Sequence, residues 1–340
     1  MGAVTSARPL IDPFDRRVRD LRISVTDRCN LRCRYCMPAE GLDWLARADL
    51  LTFEEITRVA RVCVERFGFN SIRLTGGEPT VRAHLPRLVG MLAGLSPADG
   101  HLDLALTTNG TTFALLADDL RRAGLDRVNI SCDSLRADRF AAVTRRDSLQ
   151  QVIEGIDAAV AAGFSPVKVN CVLVRGVNDD ELVDFAAFGR ERGVHVRFIE
   201  FMPLDADGAW SPDQVVPADE VVSTIGAVWP LEAVAGPGTG SAPARRWRFV
   251  DGGGEIGVIS SVTDNFCGSC DRVRLTAEGM FRNCLFAVDE TDLRSIMRSG
   301  GGDDDVAAAI AADVGRKWAG HSIGQVHFRR PDRSMSQIGG

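Results

Sequence analysis

Residues 21–36 read L-R-I-S-V-T-D-R-C-N-L-R-C-R-Y-C. Leu21 to Val25 has the apolar content of a strand, and Cys29, Cys33 and Cys36 follow it in a loop at C-x3-C-x2-C spacing. Three thiolates on one short loop suit a cubane iron–sulfur cluster. Three ligands leave one of its four irons open, and an open position separates a reactive metal site from a structural one. A zinc knuckle would need a fourth ligand, which no nearby histidine or cysteine supplies. Three unligated cysteines is the other plain reading.

Outward from this loop the chain alternates. Thr52 and Glu55 form a capping box for a helix whose Ile56, Val59, Ala60, Cys63 and Val64 recur at helical spacing, closed by Gly68. Strands are expected at Ser71 to Thr75, Asp103 to Thr107, Arg127 to Ser131, Val167 to Val174 and His195 to Glu200. Helices are expected around Leu85 to Leu95, Leu115 to Ala123, Leu149 to Ala162 and Glu181 to Arg192. Six strands alternating with helices predict an α/β fold with a parallel sheet. Nothing continues the alternation to eight, so the expected form is an incomplete (β/α)6 TIM-type barrel.

Around Ala233 to Pro243 the composition shifts to Gly, Pro, Ser and Thr. This predicts a boundary, with a partial barrel over residues 1–235 and a C-terminal extension over 236–340. The extension should hold a hairpin (Arg246 to Val250, Ile256 to Ile259), a second cysteine group and a polar tail. Asp205 to Gly254 carries no functional signal.

The chain has 340 residues, 45% apolar and 25% charged, with a net charge of −6. That balance excludes a basic, sequence-blind nucleic-acid binder. No apolar run is long enough to span a membrane, and the first residues lack the core of an export signal. A cytoplasmic chain is expected, in which nine cysteines point to metal or redox chemistry rather than disulfides. Cys63, Cys132 and Cys171 stand alone in apolar surroundings and read as small buried hydrophobes. Only Lys168 and Lys317 are lysines among 40 basic residues.

Cys267, Cys270 and Cys284 form a second triplet, C-x2-C-x13-C. The nearest downstream histidine, His321, has no partner spacing, so a second cubane with an open iron reads better than zinc. Arg272 and Arg274 follow at once. On a strand they share a face, and two guanidinium forks suit phosphate oxygens; a solvated charged edge is the bland alternative. Lys168 shares its strand face with Asn170, opposite Val167, Val169 and Cys171. Pointing into a barrel it needs an anion, either a phosphate or an internal ion pair.

C-x3-C-x2-C with an aromatic before the last cysteine, set after the first strand, resembles the radical S-adenosylmethionine superfamily. T-G-G-E-P, N-I-S-C-D-S and E-F-M-P at later strand ends resemble its cofactor contacts. The resemblance implies that an open iron chelates S-adenosylmethionine and that electron transfer yields a 5′-deoxyadenosyl radical. It assigns Tyr35, Gly77, Ser131 and Met202 to that cofactor.

The second triplet with D-R-V-R, together with R-L-T-G-G-E-P, T-T-N-G, V-K-V-N, R-F-I-E-F-M and a terminal Gly339-Gly340, is similar to the GTP 3′,8-cyclase family of molybdenum-cofactor biosynthesis. The likeness runs from Leu21 to Gly340. It implies two [4Fe-4S] clusters, on Cys29, Cys33 and Cys36 and on Cys267, Cys270 and Cys284. It assigns GTP to Arg22, Arg73, Thr107, Lys168, Arg272 and Arg274, and catalytic roles to Arg272, Arg274, Gly339 and Gly340. The implied reaction moves the hydrogen from ribose C3′ of GTP to the deoxyadenosyl radical and joins C3′ to guanine C8. Implied partners are a low-potential electron donor and a downstream cyclic pyranopterin synthase receiving the product, with the chain a monomer or homodimer. Two alternatives stand beside this resemblance. A peptide-modifying radical enzyme usually carries more auxiliary cysteines. An iron–sulfur carrier or zinc module would normally close its sites with four ligands.

Overall fold

The computed structural model describes residues 8–97, 100–204, 208, 210–234, 242–326 and 328–339. A short hairpin, β1 (Leu10–Ile11) with β2 (Arg17–Val18), leads into the six expected strands. These are β3 (Asp20–Ser24), β4 (Ser71–Thr75), β5 (Asp103–Thr108), β6 (Arg127–Ser131), β7 (Lys168–Leu173) and β8 (His195–Glu200). Each pairs in parallel with the next.

Period-two alternation decides which side chains face where. Leu21 and Ile23, Ile72 and Leu74, Val128 and Ile130, and Val196 and Phe198 turn outward and are fully buried beneath the helices. Each such side chain contributes roughly 1.5–3 kcal/mol. Arg22, Arg73, Thr107, Lys168, Asn170 and Arg197 take the alternate positions and line the interior.

The covering helices follow their sequence signals. Thr52 caps α1 (Phe53–Arg61) with both arms of the capping box formed, and a π-helical turn over Val62–Arg66 continues it. Gly68 then takes φ +71°, which ends the helix. Beyond it come α2 (Leu85–Ala93), α3 (Ala117–Arg122), α5 (Leu149–Ala161) and α6 (Leu182–Arg192). The sequence reading omitted α4 (Ala137–Thr144), which closes on Arg145 at φ +57°, and α7 (Ala218–Gly226), within the stretch without a functional signal. Cys63, Cys132 and Cys171 are buried in the apolar core, as expected.

The expected boundary at 235/236 falls outside the described residues. Strand β9 (Leu231–Ala233) lies before it. After it, β10 (Arg245–Phe249) and β11 (Glu255–Ile259) make the predicted hairpin. Then β12 (Arg272–Leu275), β13 (Met280–Arg282) and β14 (Thr291–Asp292) follow. β11 adds in parallel to β8, and β12 adds in parallel to β3. Among the described residues one twelve-stranded sheet results, ordered β14-β13-β12-β3-β4-β5-β6-β7-β8-β11-β10-β9. The later strands thus extend both edges of an open barrel. Helices α8 (Leu293–Arg298) and α9 (Asp303–Val314) cover one edge, and α10 (Met335–Ile338) forms in the tail. Among the described residues no helix is long and apolar enough to cross a membrane.

Candidate active site

A cavity of about 740 Å³ runs through the barrel interior. Both cysteine triplets line it, as do Arg22, Tyr35, Arg73, Gly77, Thr107, Ser131, Lys168, Met202, Arg272 and Arg274. Residues spread over the whole chain therefore meet in one space. Gly340 lies outside the described residues.

The first triplet follows the carboxyl end of β3. Its cysteines are partly buried residues, and burial around the sulfurs pushes the Cys29 thiol up to about 11 and the Cys36 thiol to about 12. N–H donors are already aimed at sulfur: Leu31 N at 3.4 Å and Asn109 Nδ2 at 3.8 Å from Cys29 Sγ. A dry thiol that gives up its proton to a metal, next to donors that stabilise the thiolate, fits an iron–sulfur cluster. The glycines of T-G-G-E-P brace this loop. An ideal Cβ on Gly77 would stand 2.4 Å from the carbonyl oxygens of Asp27 and Arg28, so nothing larger fits. Gly76 meets Thr26 O as closely and has φ +136°. Both glycines thus pack directly against the backbone of the cysteine loop.

Arg22, Arg73 and Arg274 share one rung. Arg274 pairs with Arg22 across β12–β3, and Arg22 with Arg73 across β3–β4. Neighbouring strands lie about 4.8 Å apart, and like charges on one rung repel. Burial first, then Arg274, Arg73 and Arg272, push the Arg22 guanidinium well below its usual range. Burial takes Arg274 down to about 10 and Arg197 to about 9. Nε of Arg22 and Nε of Arg73 are buried without a hydrogen-bond partner among the described residues. Lys168 forms no ion pair among the described residues. Asp103 favours its charge, but burial with Arg197, Arg127 and Arg73 brings its ammonium down to about 6. The internal ion pair that the sequence left open therefore does not form there. A set of buried basic side chains that repel one another when charged and keep donors idle among the described residues suits a polyanion.

The second triplet faces the same cavity from the other side. Arg16 donates to the carbonyls of Cys267 (2.7 Å) and Ala319 (2.7 Å), and its Nε pairs with Asp12 Oδ2 at 2.5 Å. Lys317 Nζ donates to Arg272 O at 2.6 Å and to Asn283 O. Burial would raise the Cys270 thiol, but Lys317 and Arg272 turn the net shift downward. His321 sits here too, its ring tilted against Phe286 with centroids 5.2 Å apart, and its backbone N–H bonded to the Cys267 sulfur.

The sequence matches the radical SAM superfamily over residues 23–189 and the Molybdenum Cofactor Synthesis C family over residues 194–323. It is 48% identical to the GTP 3′,8-cyclase of Streptomyces coelicolor over 98% of this chain and 97% of that one. It is 46% identical to the enzyme of the same name from Mycolicibacterium smegmatis over 98% and 92%. The chain belongs to the GTP 3′,8-cyclase family. As a member of the radical SAM superfamily it uses a [4Fe-4S] cluster and S-adenosylmethionine. Its fold is similar to that of Streptococcus suis SuiB bound to S-adenosylmethionine, with TM-score 0.56 and 11% identity over 86% of this chain and 66% of that one.

The cyclase's tail returns to the cavity. Met335 and Ser336 line it, and Ser336 hydrogen-bonds Cys36. Arg274 donates to the carbonyls of Ile338 (3.3 Å) and Gly339. Gly339 has φ +70°, and a Cβ there would meet Thr75 Cγ2 at 2.6 Å and Ser24 Oγ at 2.8 Å. Only glycine passes between the ends of β3 and β4.

Several site residues of this cyclase were missed in the sequence. Arg197 carries the same inward alternation as Lys168, a signal that could have found it. Asp133 accepts the Tyr35 hydroxyl at 2.5 Å and the Val172 N–H at 2.9 Å. Burial raises the Asp133 carboxyl to about 6. Glu78 is buried and accepts from Thr80, Thr108 Oγ1 (2.6 Å) and Asn109 N (2.6 Å), tying β4 to β5 beneath Cys29. It stood inside T-G-G-E-P, but Thr108 and Asn109 come to it from β5 and the turn that follows.

Proposed function

We propose that this cavity binds S-adenosylmethionine and GTP together and cyclises GTP to 3′,8-cyclo-7,8-dihydro-GTP, the first step of molybdenum-cofactor synthesis. The observation that carries this reading is the meeting of two cysteine triplets and a buried cation rung in one cavity. Cys29, Cys33 and Cys36 would hold the cluster that, when bound, supplies the electron for cleaving the sulfonium bond of S-adenosylmethionine. Tyr35, Gly77, Ser131 and Met202 would seat that cofactor at the carboxyl ends of the strands, where β/α barrels place their chemistry. Asp133 holds the Tyr35 ring in position. Arg22, Arg73, Lys168, Arg272 and Arg274, joined by Arg197, would neutralise the triphosphate, and Thr107 would add a hydroxyl. Holding the phosphate end fixes ribose C3′, which decides which hydrogen is taken.

Cys267, Cys270 and Cys284 would carry a second [4Fe-4S] cluster facing the guanine end; three half-buried thiols beside Lys317 and Arg272 suit an anionic cluster. Arg274 and the Gly339-Gly340 tail would close the site. Residues 1–235 serve as the partial barrel and 236–340 as the auxiliary-cluster region. The enzyme works in the cytoplasm as a monomer or homodimer, takes electrons from a low-potential donor and passes product to a cyclic pyranopterin synthase.

Anaerobic reconstitution with iron and sulfide, reduction, and addition of S-adenosylmethionine with and without GTP tests this. Mass spectrometry should find 5′-deoxyadenosine together with a cyclised GTP isomer. 5′-Deoxyadenosine without a GTP product would remove the substrate and restore the peptide-modifying alternative.

A further inference from the structure

Lys317 is 4% exposed and is one of only two lysines in the chain. Its ammonium donates to the carbonyl of Arg272, two residues after Cys270, and to the carbonyl of Asn283, immediately before Cys284. It therefore ties together the two backbone segments that carry those cysteines. Arg16 does the same for Cys267, but Asp12 neutralises it at 2.5 Å. Among the described residues Lys317 has no such carboxylate; both of its oxygen partners are neutral carbonyls. Arg16 thus brings hydrogen bonds with its charge already paired, whereas Lys317 brings hydrogen bonds and a buried charge that no carboxylate contacts directly, Asp313 acting on it only through space. A lysine is suited to this place, being a compact point charge with three donors. Buried charge without an anion is costly, and cluster potentials follow nearby net charge and hydrogen bonding.

We propose that Lys317 is the positioning and charge-compensating residue of the auxiliary cysteine triplet, fixing Cys270 and Cys284 and favouring the more negative, reduced state of the group they hold. The proposal rests on the second-cluster reading above.

The test uses the full chain in a Cys29→Ala, Cys33→Ala, Cys36→Ala background, so that only the second triplet can bind iron. About four irons per chain after reconstitution must appear first. Their absence overturns the second-cluster reading itself and with it the proposal. K317M, K317Q and K317R are then compared by iron content, by the electron-paramagnetic-resonance spectrum of the reduced state, and by midpoint potential. K317M and K317Q should shift the potential to more negative values or lose at least half the iron, and K317R should restore both. K317Q keeps a donor without the charge, and decides the matter if K317M does not fold. An unchanged potential and iron content in K317Q, or failure of K317R to recover either, overturns the proposal.

Discussion

Arg22 and Arg274 stand side by side on one rung of the sheet, register partners on neighbouring parallel strands contributed by the two ends of the chain. Arg73 extends the rung on the other side of Arg22. The arrangement works against the empty protein and in favour of a bound polyanion.

Arg22→Met removes one of the repelling charges. The ligand-free protein should keep its melting temperature or gain stability by roughly 0.2–1 kcal/mol. GTP affinity should fall about 10- to 100-fold, the loss of one or two charge-assisted hydrogen bonds. Thermal melts with and without GTP, together with calorimetric titration, read both. A destabilised ligand-free variant with normal GTP affinity would mean that the rung is structural.

Lys168 gives a dependence on pH. Its folded-state value near 6 lies below the ordinary lysine range of about 10.4. Between those values the unfolded chain holds a proton that the folded chain has released. This group therefore makes stability rise with pH across that window, and its full penalty applies below about 6. A triphosphate would restore the charge, so binding should take up a proton and weaken from pH 7 to pH 9. Lys168→Met should weaken GTP binding and flatten both profiles, with the iron of the first triplet retained. A variant whose GTP affinity follows pH as the parent does would exclude this lysine from the phosphates.

Gly77→Ala places a methyl group against the Asp27 and Arg28 carbonyls. Overpacking of this kind costs typically 1–3 kcal/mol. The cysteine loop should shift, and iron bound by the first triplet should drop while that of the second stays. Iron analysis in backgrounds carrying a single triplet distinguishes the two.

Gly339→Ala should expel the tail from between β3 and β4 without disturbing the barrel. The melting temperature should hold, the C-terminal residues should become sensitive to carboxypeptidase, and cyclisation should fall by tenfold or more. A protected tail with full turnover would count against its place in the site.

Cys29→Ala should abolish cleavage of S-adenosylmethionine. Cys63→Ala, in the core, should leave cleavage intact and lower stability by about 1 kcal/mol, the transfer and cavity terms of one small side chain. Cleavage that survives Cys29→Ala would dismiss the first-triplet assignment.

Much of this was legible because it is local. The six strands, the Thr52 capping box and both cysteine triplets are patterns within short windows, set by side-chain alternation and loop spacing. Helix α4 was not, because its first turn has no side-chain cap and its end relies on a non-glycine residue at positive φ. Likewise His321 was set aside for want of a spacing partner, yet its backbone amide reaches Cys267 through the fold rather than along the chain.

By itself, the sequence determined the β/α order, the strand face that Lys168 shares with Asn170, and the identity of the two thiol sets, since each depends on backbone periodicity or on residues a few positions apart. Tertiary structure alone decided that β12 lies against β3 and β11 against β8, which closes both cysteine sets over one cavity. It also decided that Glu78, Asp133 and Lys317 support the site. Strand neighbours in a sheet, and the partners of buried charges, are selected by burial and electrostatics summed over the whole chain, and no local window contains that sum.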